Sequence, residues 1–182
     1  MHKAVFLDRD GVINVDHGYV YRFEDFAFID GVIESLARLR SLGFLLVLVT
    51  NQSGIARGMY TEGDFDLLCT RMQEVLAESR AQFDRIYYCP HLKEGSVTKY
   101  KIDCQCRKPR PGMFLQAISE LGIDAGGSYM VGDRPSDLEA ARKAGVRTLI
   151  YVGDNAETIQ SDKEGVIFYK DLHDFVFNHN FG

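Results

Sequence analysis

Short, densely apolar stretches recur along this chain, and segments of helical period separate them. Ala4–Leu7, Phe44–Val49, Arg85–Cys89, Tyr129–Val131, Thr148–Val152 and Val166–Tyr169 read as strands. Within Val32–Leu42, Ile33, Leu36, Leu39 and Leu42 recur at helical spacing, and Gly43 follows as a stop. Thr61 is placed to cap a second helix, whose apolar face reads as Leu67, Leu68, Met72, Val75 and Leu76. Pro111 and Pro135 open two more helices, which close at Gly122 and Gly145. A helix between two strands carries the chain back to the end from which it started, so such alternation implies parallel pairing. The expected fold class is α/β, a mainly parallel sheet flanked by helices. At 182 residues the chain suits a single domain spanning 1–182. One stretch, Pro90 to Pro111, is polar, basic and cysteine-bearing, and follows neither period.

The ends of these strands carry the candidate chemistry. Ala4-Val5-Phe6-Leu7 runs straight into Asp8-Arg9-Asp10-Gly11, and open α/β sheets bind ligands at the carboxyl ends of their strands. Two carboxylates held one residue apart repel unless a cation neutralises them. The pair therefore suits Mg²⁺, or a nucleophile beside an acid/base; the plainer alternative is a strand closing on a solvated turn. Val49 leads into Thr50-Asn51-Gln52-Ser53-Gly54, whose hydroxyls, amides and backbone donors can cradle phosphate oxygens. Arg107-Lys108-Pro109-Arg110-Pro111 sends basic side chains along a proline-stiffened path. Met130-Val131-Gly132-Asp133 ends another strand on an acid, with Asp137 at the start of the next helix. Asp133 could join Asp8 and Asp10 around Mg²⁺.

A net charge of −5 argues against nucleic-acid or membrane partners. The compact basic stretch fits a small phosphorylated ligand better. No charged-then-apolar leader opens the sequence, and Phe44–Val49, its longest apolar run, falls far short of a bilayer span. The expected location is cytoplasmic. With no coiled-coil repeat, the expected state is a monomer.

Cys89-Pro90-His91 and Cys104-Gln105-Cys106 form a Cys-x-His…Cys-x-Cys set across a twelve-residue loop. Three thiolates and an imidazole make a closed, tetrahedral, structural Zn²⁺ site. A disulfide, disfavoured in the cytoplasm, and unrelated buried thiols are the competing readings. The zinc loop, 89–106, ends at Arg107 and Lys108, so the metal would place cations that meet the substrate. Cys69 lies in the second helix and reads as packed core.

Asp-x-Asp, then Thr, then Lys, then Gly-Asp-x-x-x-Asp, each after a strand, is the order found in haloacid dehalogenase-like phosphohydrolases, which share a Rossmann-like sheet. This chain resembles that family over essentially its whole length. The resemblance implies Asp8 as the nucleophile that forms an aspartyl-phosphate, and Asp10 as general acid and then base. It implies Thr50 and Lys108 as stabilisers of the transferring phosphoryl group. Mg²⁺ would lie between Asp8, the Asp10 carbonyl and Asp133, with Asp137 behind them orienting Lys108 or a metal-bound water.

The zinc set, and too little chain between motifs for a cap domain, narrow the likeness to a branch that includes histidinol-phosphate phosphatases and heptose 1,7-bisphosphate 7-phosphatases. Ile13–Val20, Asn51–Gly58 and Cys106–Pro109 resemble the heptose group, as does the longer zinc loop. By that resemblance Asp16, His17, Gly18, Tyr19, Asn51, Gln52, Ser53 and Arg134 contact a phosphorylated sugar. The same resemblance implies that Arg107 recognises the C1 phosphate that is kept while the C7 phosphate leaves. Outside this likeness His17 would read as a surface histidine. Val12 and Arg134 depart from the more usual Thr and Lys. The implied activity is Mg²⁺-dependent removal of the 7-phosphate, with the β-anomer suggested, on the route to lipopolysaccharide heptose. Histidinol phosphate as substrate, a non-catalytic phospho-ligand module and a nucleic-acid 3′-phosphatase are the alternatives.

Overall fold

The computed structural model describes residues 1–153 and 165–181; of the expected single domain, 154–164 and 182 lie outside the described residues. Among the described residues six strands form one sheet: β1 (Ala4–Leu7), β2 (Leu45–Asn51), β3 (Arg85–Cys89), β4 (Tyr129–Gly132), β5 (Thr148–Val152) and β6 (Val166–Tyr169). Their order is β3-β2-β1-β4-β5-β6, and every adjacent pair is parallel. The α/β class read from the alternation is the class observed.

Period-two alternation sends each strand to two cores. Val5 and Leu7 join Leu36, Leu39, Leu46, Leu48 and Phe175 on one face. Ala4 and Phe6 join Val47, Val49, Phe114 and Ala140 on the other. Helices α1 (Val32–Ser41), α3 (Glu62–Ala77) and α6 (Leu172–Asn178) supply the first layer, and α4 (Gly112–Leu121) with α5 (Pro135–Lys143) the second; the single-turn α2 (Ser53–Ala56) follows β2. Burial on both faces is why the strands read as unbroken apolar runs.

Two expectations need correction. Leu67 is 61% exposed, and Phe65 takes its place beside Leu68, Cys69, Met72 and Leu76. At 100° per residue, Phe65 lies in line with positions three, four, seven and eleven further on, whereas Leu67 points away. β2 continues past Val49, because Thr50 and Asn51 stay in register with Tyr88 and Cys89 of β3. Main-chain pairing is indifferent to their polarity. Thr61 does cap α3, in a reciprocal box with Asp64.

Strand order reverses direction at β1, between β2 and β4, which opens a crevice at their carboxyl ends. Two long excursions, 8–31 and 90–111, leave from that edge. Among the described residues no helix is long and apolar enough to cross a membrane.

Candidate active site

β1 delivers Asp8 to the crevice, 6% exposed. Its Oδ1 accepts a hydrogen bond from Lys108 Nζ at 2.8 Å. The same ammonium pairs with Asp137 Oδ1 at 2.7 Å and donates to the Val49 carbonyl at 2.8 Å. All three of its protons are therefore committed. Burial works against charge on Lys108, but Asp137 and Asp8 outweigh it and hold the ammonium above its ordinary pKa. The backbone of Lys108 is fixed as well. The Asn51 amide donates to its carbonyl and accepts from its N–H, both at 3.1 Å.

The acids beside it are less satisfied. Burial pushes Asp8 up to about 6 against the opposing pull of Lys108. Burial, with Asp8 and Asp137 nearby, pushes Asp133 up to about 7. Asp133 Oδ1 is buried with no hydrogen-bond partner among the described residues. Asp8, Asp133 and Asp137 bring carboxylate oxygens within 4.8 Å of one another. Three carboxylates facing the Lys108 ammonium, with the Arg134 guanidinium 4.0 Å from Asp133 Oδ1, still leave an excess of negative charge in a buried spot, which is what a divalent cation neutralises. Asp137 already spends Oδ1 on Lys108 and Oδ2 on the Arg134 N–H at 3.1 Å, so Asp8 and Asp133 offer the free oxygens. The donor set fits Mg²⁺. Gly11 is required here: its φ is +85°, and a Cβ would lie 2.2 Å from Asp133 Oδ2.

Asp10 is turned toward a different set of donors. Its Oδ1 accepts from Arg9 Nη2 at 2.7 Å and Asn14 Nδ2 at 3.1 Å; its Oδ2 accepts from Arg9 Nη2 at 2.9 Å and Gln52 Nε2 at 3.3 Å. Gln52 also donates to Thr50 Oγ1 at 2.9 Å and accepts from the Tyr60 hydroxyl. With its oxygen accepting from Gln52, Thr50 has its own proton to offer the crevice.

These groups line a cleft of about 350 Å³ that also receives Asp16, Gly18, Tyr19, Ser53, Arg107 and Arg134. Asp16 and Arg134 pair at 3.1 Å. His17 stands apart, in an adjacent depression with Val20 and Phe26. Asn51 and Gln52 border the cleft, yet their amides are spent on Lys108, Thr50 and Asp10. A larger groove, about 630 Å³, lies between α3 and β3, but its charged lining is Asp66 and Glu74, which repel a phosphate. Four members of the cleft network were not expected from sequence: Arg9, Asn14, Tyr60 and Ser136. An arginine set between two acids at a buried strand end was the available signal for the first.

At the neighbouring strand end, β3 delivers Cys89. Its Sγ lies 3.5 Å from that of Cys104 and 3.1 Å from that of Cys106, with Cys104 and Cys106 at 3.3 Å. His91 Nδ1 is 3.3 Å from Cys106 Sγ and 3.8 Å from Cys89 Sγ. Zn–S bonds of about 2.3 Å put tetrahedral ligands roughly 3.7 Å apart, whereas a disulfide needs about 2.0 Å. These spacings fit four ligands converging on one ion, and all four cysteines of the chain are free. Donation from Cys89 and His91 lowers the Cys106 thiol to about 5, and Cys89 is pushed up in exchange. Arg107 follows directly, its Nη1 3.5 Å from the His91 carbonyl.

A HAD-hydrolase-like family model matches residues 105–175. A D-glycero-beta-D-manno-heptose-1,7-bisphosphate 7-phosphatase of Vibrio cholerae is 57% identical, over 82% of this chain and 80% of its own length. The enzyme of the same name from Haemophilus influenzae is 50% identical over 93% and 91%. Among solved structures, the D,D-heptose 1,7-bisphosphate phosphatase of B. bronchiseptica, complexed with magnesium and phosphate, superposes with a TM-score of 0.84. It is 32% identical, with 96% of each chain covered.

Proposed function

The chain belongs to the D-glycero-beta-D-manno-heptose-1,7-bisphosphate 7-phosphatases, a family of HAD-like hydrolases, and from that premise we propose that it removes the C7 phosphate of the β-anomer and keeps the one at C1. Asp8 attacks phosphorus in line and forms an acyl phosphate. Asp10 gives a proton to the departing C7 alkoxide, then takes one from the water that cleaves the acyl phosphate. Lys108, released from Asp8 as that carboxylate bonds to phosphorus, and the Thr50 hydroxyl donate to the phosphoryl oxygens as charge moves onto them. Asp8, Asp133 and the Asp10 carbonyl would hold Mg²⁺, whose charge offsets the repulsion between an anionic nucleophile and a phosphate. Arg107, with Arg134 across the cleft, binds the retained phosphate and the sugar.

The observation that carries this reading is one cleft holding the Asp8–Lys108 pair at 2.8 Å together with a separate cation, Arg107. A bisphosphate needs both. Histidinol phosphate would present an amine to Arg107, and the named relatives speak against it as well. A non-catalytic module would have no use for Asp8 and Asp10 together. We read the excursions 8–31 and 90–111 as standing in for a cap, and the zinc ion as the tie that shapes the second. Free cysteines in ligand geometry and a net charge of −5 support a cytoplasmic monomer acting on a small phosphorylated sugar, apart from nucleic acid and membrane.

The test is phosphate release with Mg²⁺ from both heptose 1,7-bisphosphate anomers, fructose 1,6-bisphosphate and histidinol phosphate, with the surviving ester located by phosphorus NMR. The β-heptose ester should give the highest kcat/KM and leave the C1 phosphate intact. Loss of the C1 phosphate, or a preference for histidinol phosphate, overturns the proposal.

A further inference from the structure

Arg9 separates the two carboxylates of the site, and its side chain is 1% exposed. Its guanidinium grips Asp10 from the side: Nε reaches Oδ1 at 3.2 Å, and Nη2 reaches Oδ1 at 2.7 Å and Oδ2 at 2.9 Å. Nη2 also donates to the Val20 carbonyl at 2.7 Å. The Arg9 Cζ lies over the Phe65 ring, 5.7 Å from the centroid. Nη1 is buried with no partner among the described residues.

Stability does not account for this residue. A buried ion pair returns little beyond its desolvation cost, and an unpartnered buried donor is a further penalty. Its geometry suits a different task. Asp10 is a short side chain about 20% exposed, free to rotate unless held, and proton transfer demands that it meet the leaving oxygen at hydrogen-bond distance. A planar guanidinium fork fixes both the position and the plane of a carboxylate, which an ammonium does not. The Val20 bond adds a second link, to the residue that directly follows the cleft-lining Gly18 and Tyr19.

We infer that Arg9 is a positioning residue for Asp10: its fork sets the carboxylate for proton transfer and ties it, through Val20, to the segment whose Asp16, Gly18 and Tyr19 line the cleft. This rests on the proposed acid/base role of Asp10. Arg9 takes no part in the proton transfer itself: it does not line the cleft and acts only through Asp10.

Two esters separate positioning from packing. The heptose C7 alkoxide cannot leave without a proton, whereas p-nitrophenolate can. The kcat/KM of each covers steps only as far as cleavage of that ester bond. Arg9→Met should lower kcat/KM on the heptose bisphosphate by about 100-fold or more and that on p-nitrophenyl phosphate by less than about 3-fold, the former within the usual range for general acid catalysis. Arg9→Lys, which keeps charge and loses the fork, should fall in between and carries the test if Arg9→Met does not fold. Thermal melting and zinc content report folding. Equal losses on both esters would make Arg9 a packing residue and overturn the inference, as would no loss on either. Asp10→Asn distinguishes the two layers. It should show the same selectivity; if it does not, the acid assignment fails, and if it does while Arg9→Lys and Arg9→Met do not, only the positioning role fails.

Discussion

Asp8 has one cation within ion-pair range among the described residues, Lys108, and shares it with Asp137. Burial pushes its carboxyl up to about 6, so the ionised nucleophile is held at a cost to the folded state. Chemistry and stability therefore separate under mutation. Asp8→Asn keeps the shape, can still accept from Lys108, and removes a buried charge whose desolvation is unfavourable. Lys108 retains its 2.7 Å partner Asp137. The variant should lose activity by on the order of 10⁴-fold or more, while its metal-free Tm stays within about 3 °C of the parent or rises. Phosphate release and calorimetry check the two halves. An active variant would remove Asp8 from the nucleophile position.

The element that most needs outside help is the 90–111 excursion, whose regular structure is one short turn, Thr98–Tyr100. Its ends are gathered by Cys89, His91, Cys104 and Cys106, and its final residues present Arg107 and Lys108. Cys104→Ala should release zinc and cost on the order of 3 kcal/mol, roughly 6 to 12 °C in Tm for a domain of this size. KM should rise as the cations lose their anchor. Metal analysis and melting curves test it, and unchanged stability with zinc absent would sink the structural-metal reading. This loop was legible because ligand chemistry is written in residue type and spacing. So were Asp8, Thr50 and Asp133, each closing an apolar strand. Asn14 and Tyr60 were not, since their roles exist only once Asp10 and Gln52 meet in three dimensions; for Arg9 the sequence showed its place between two acids but not the bonds to Asp10 and Val20. Leu67 misled because leucine suggests a core face, and only the phase set by Phe65 and Met72 shows that it points outward. α6 was invisible for a simpler reason: at seven residues it is too short for a period to declare itself.

For the whole molecule, the charge stored in the crevice makes stability depend jointly on pH and metal. Asp8 and Asp133 titrate near 6 and 7 in the metal-free fold, against about 3.9 in an unfolded chain. Between those values the native state holds protons that the unfolded state has released, so metal-free stability falls as pH rises from about 4 to 7 and the full penalty is present above that. His179 works in the opposite sense. Burial among Tyr129, Phe175 and Phe181 lowers its pKa, so its contribution is lost as pH drops below about 6.5. The two effects oppose each other in a simple plot of Tm against pH, but only the carboxylates answer to Mg²⁺. A bound divalent ion replaces their protons and cancels the penalty. The gain in Tm on adding Mg²⁺ should therefore be small at pH 5, grow steadily through pH 6 and 7, and level off above pH 8. The apparent Mg²⁺ affinity should rise over the same interval. Asp133→Asn should flatten both curves while leaving the His179 contribution in place, visible as acid-accelerated hydrogen exchange in 172–181. A Mg²⁺-induced gain that is flat from pH 5 to 8 would show that these carboxylates are not the groups that hold the ion.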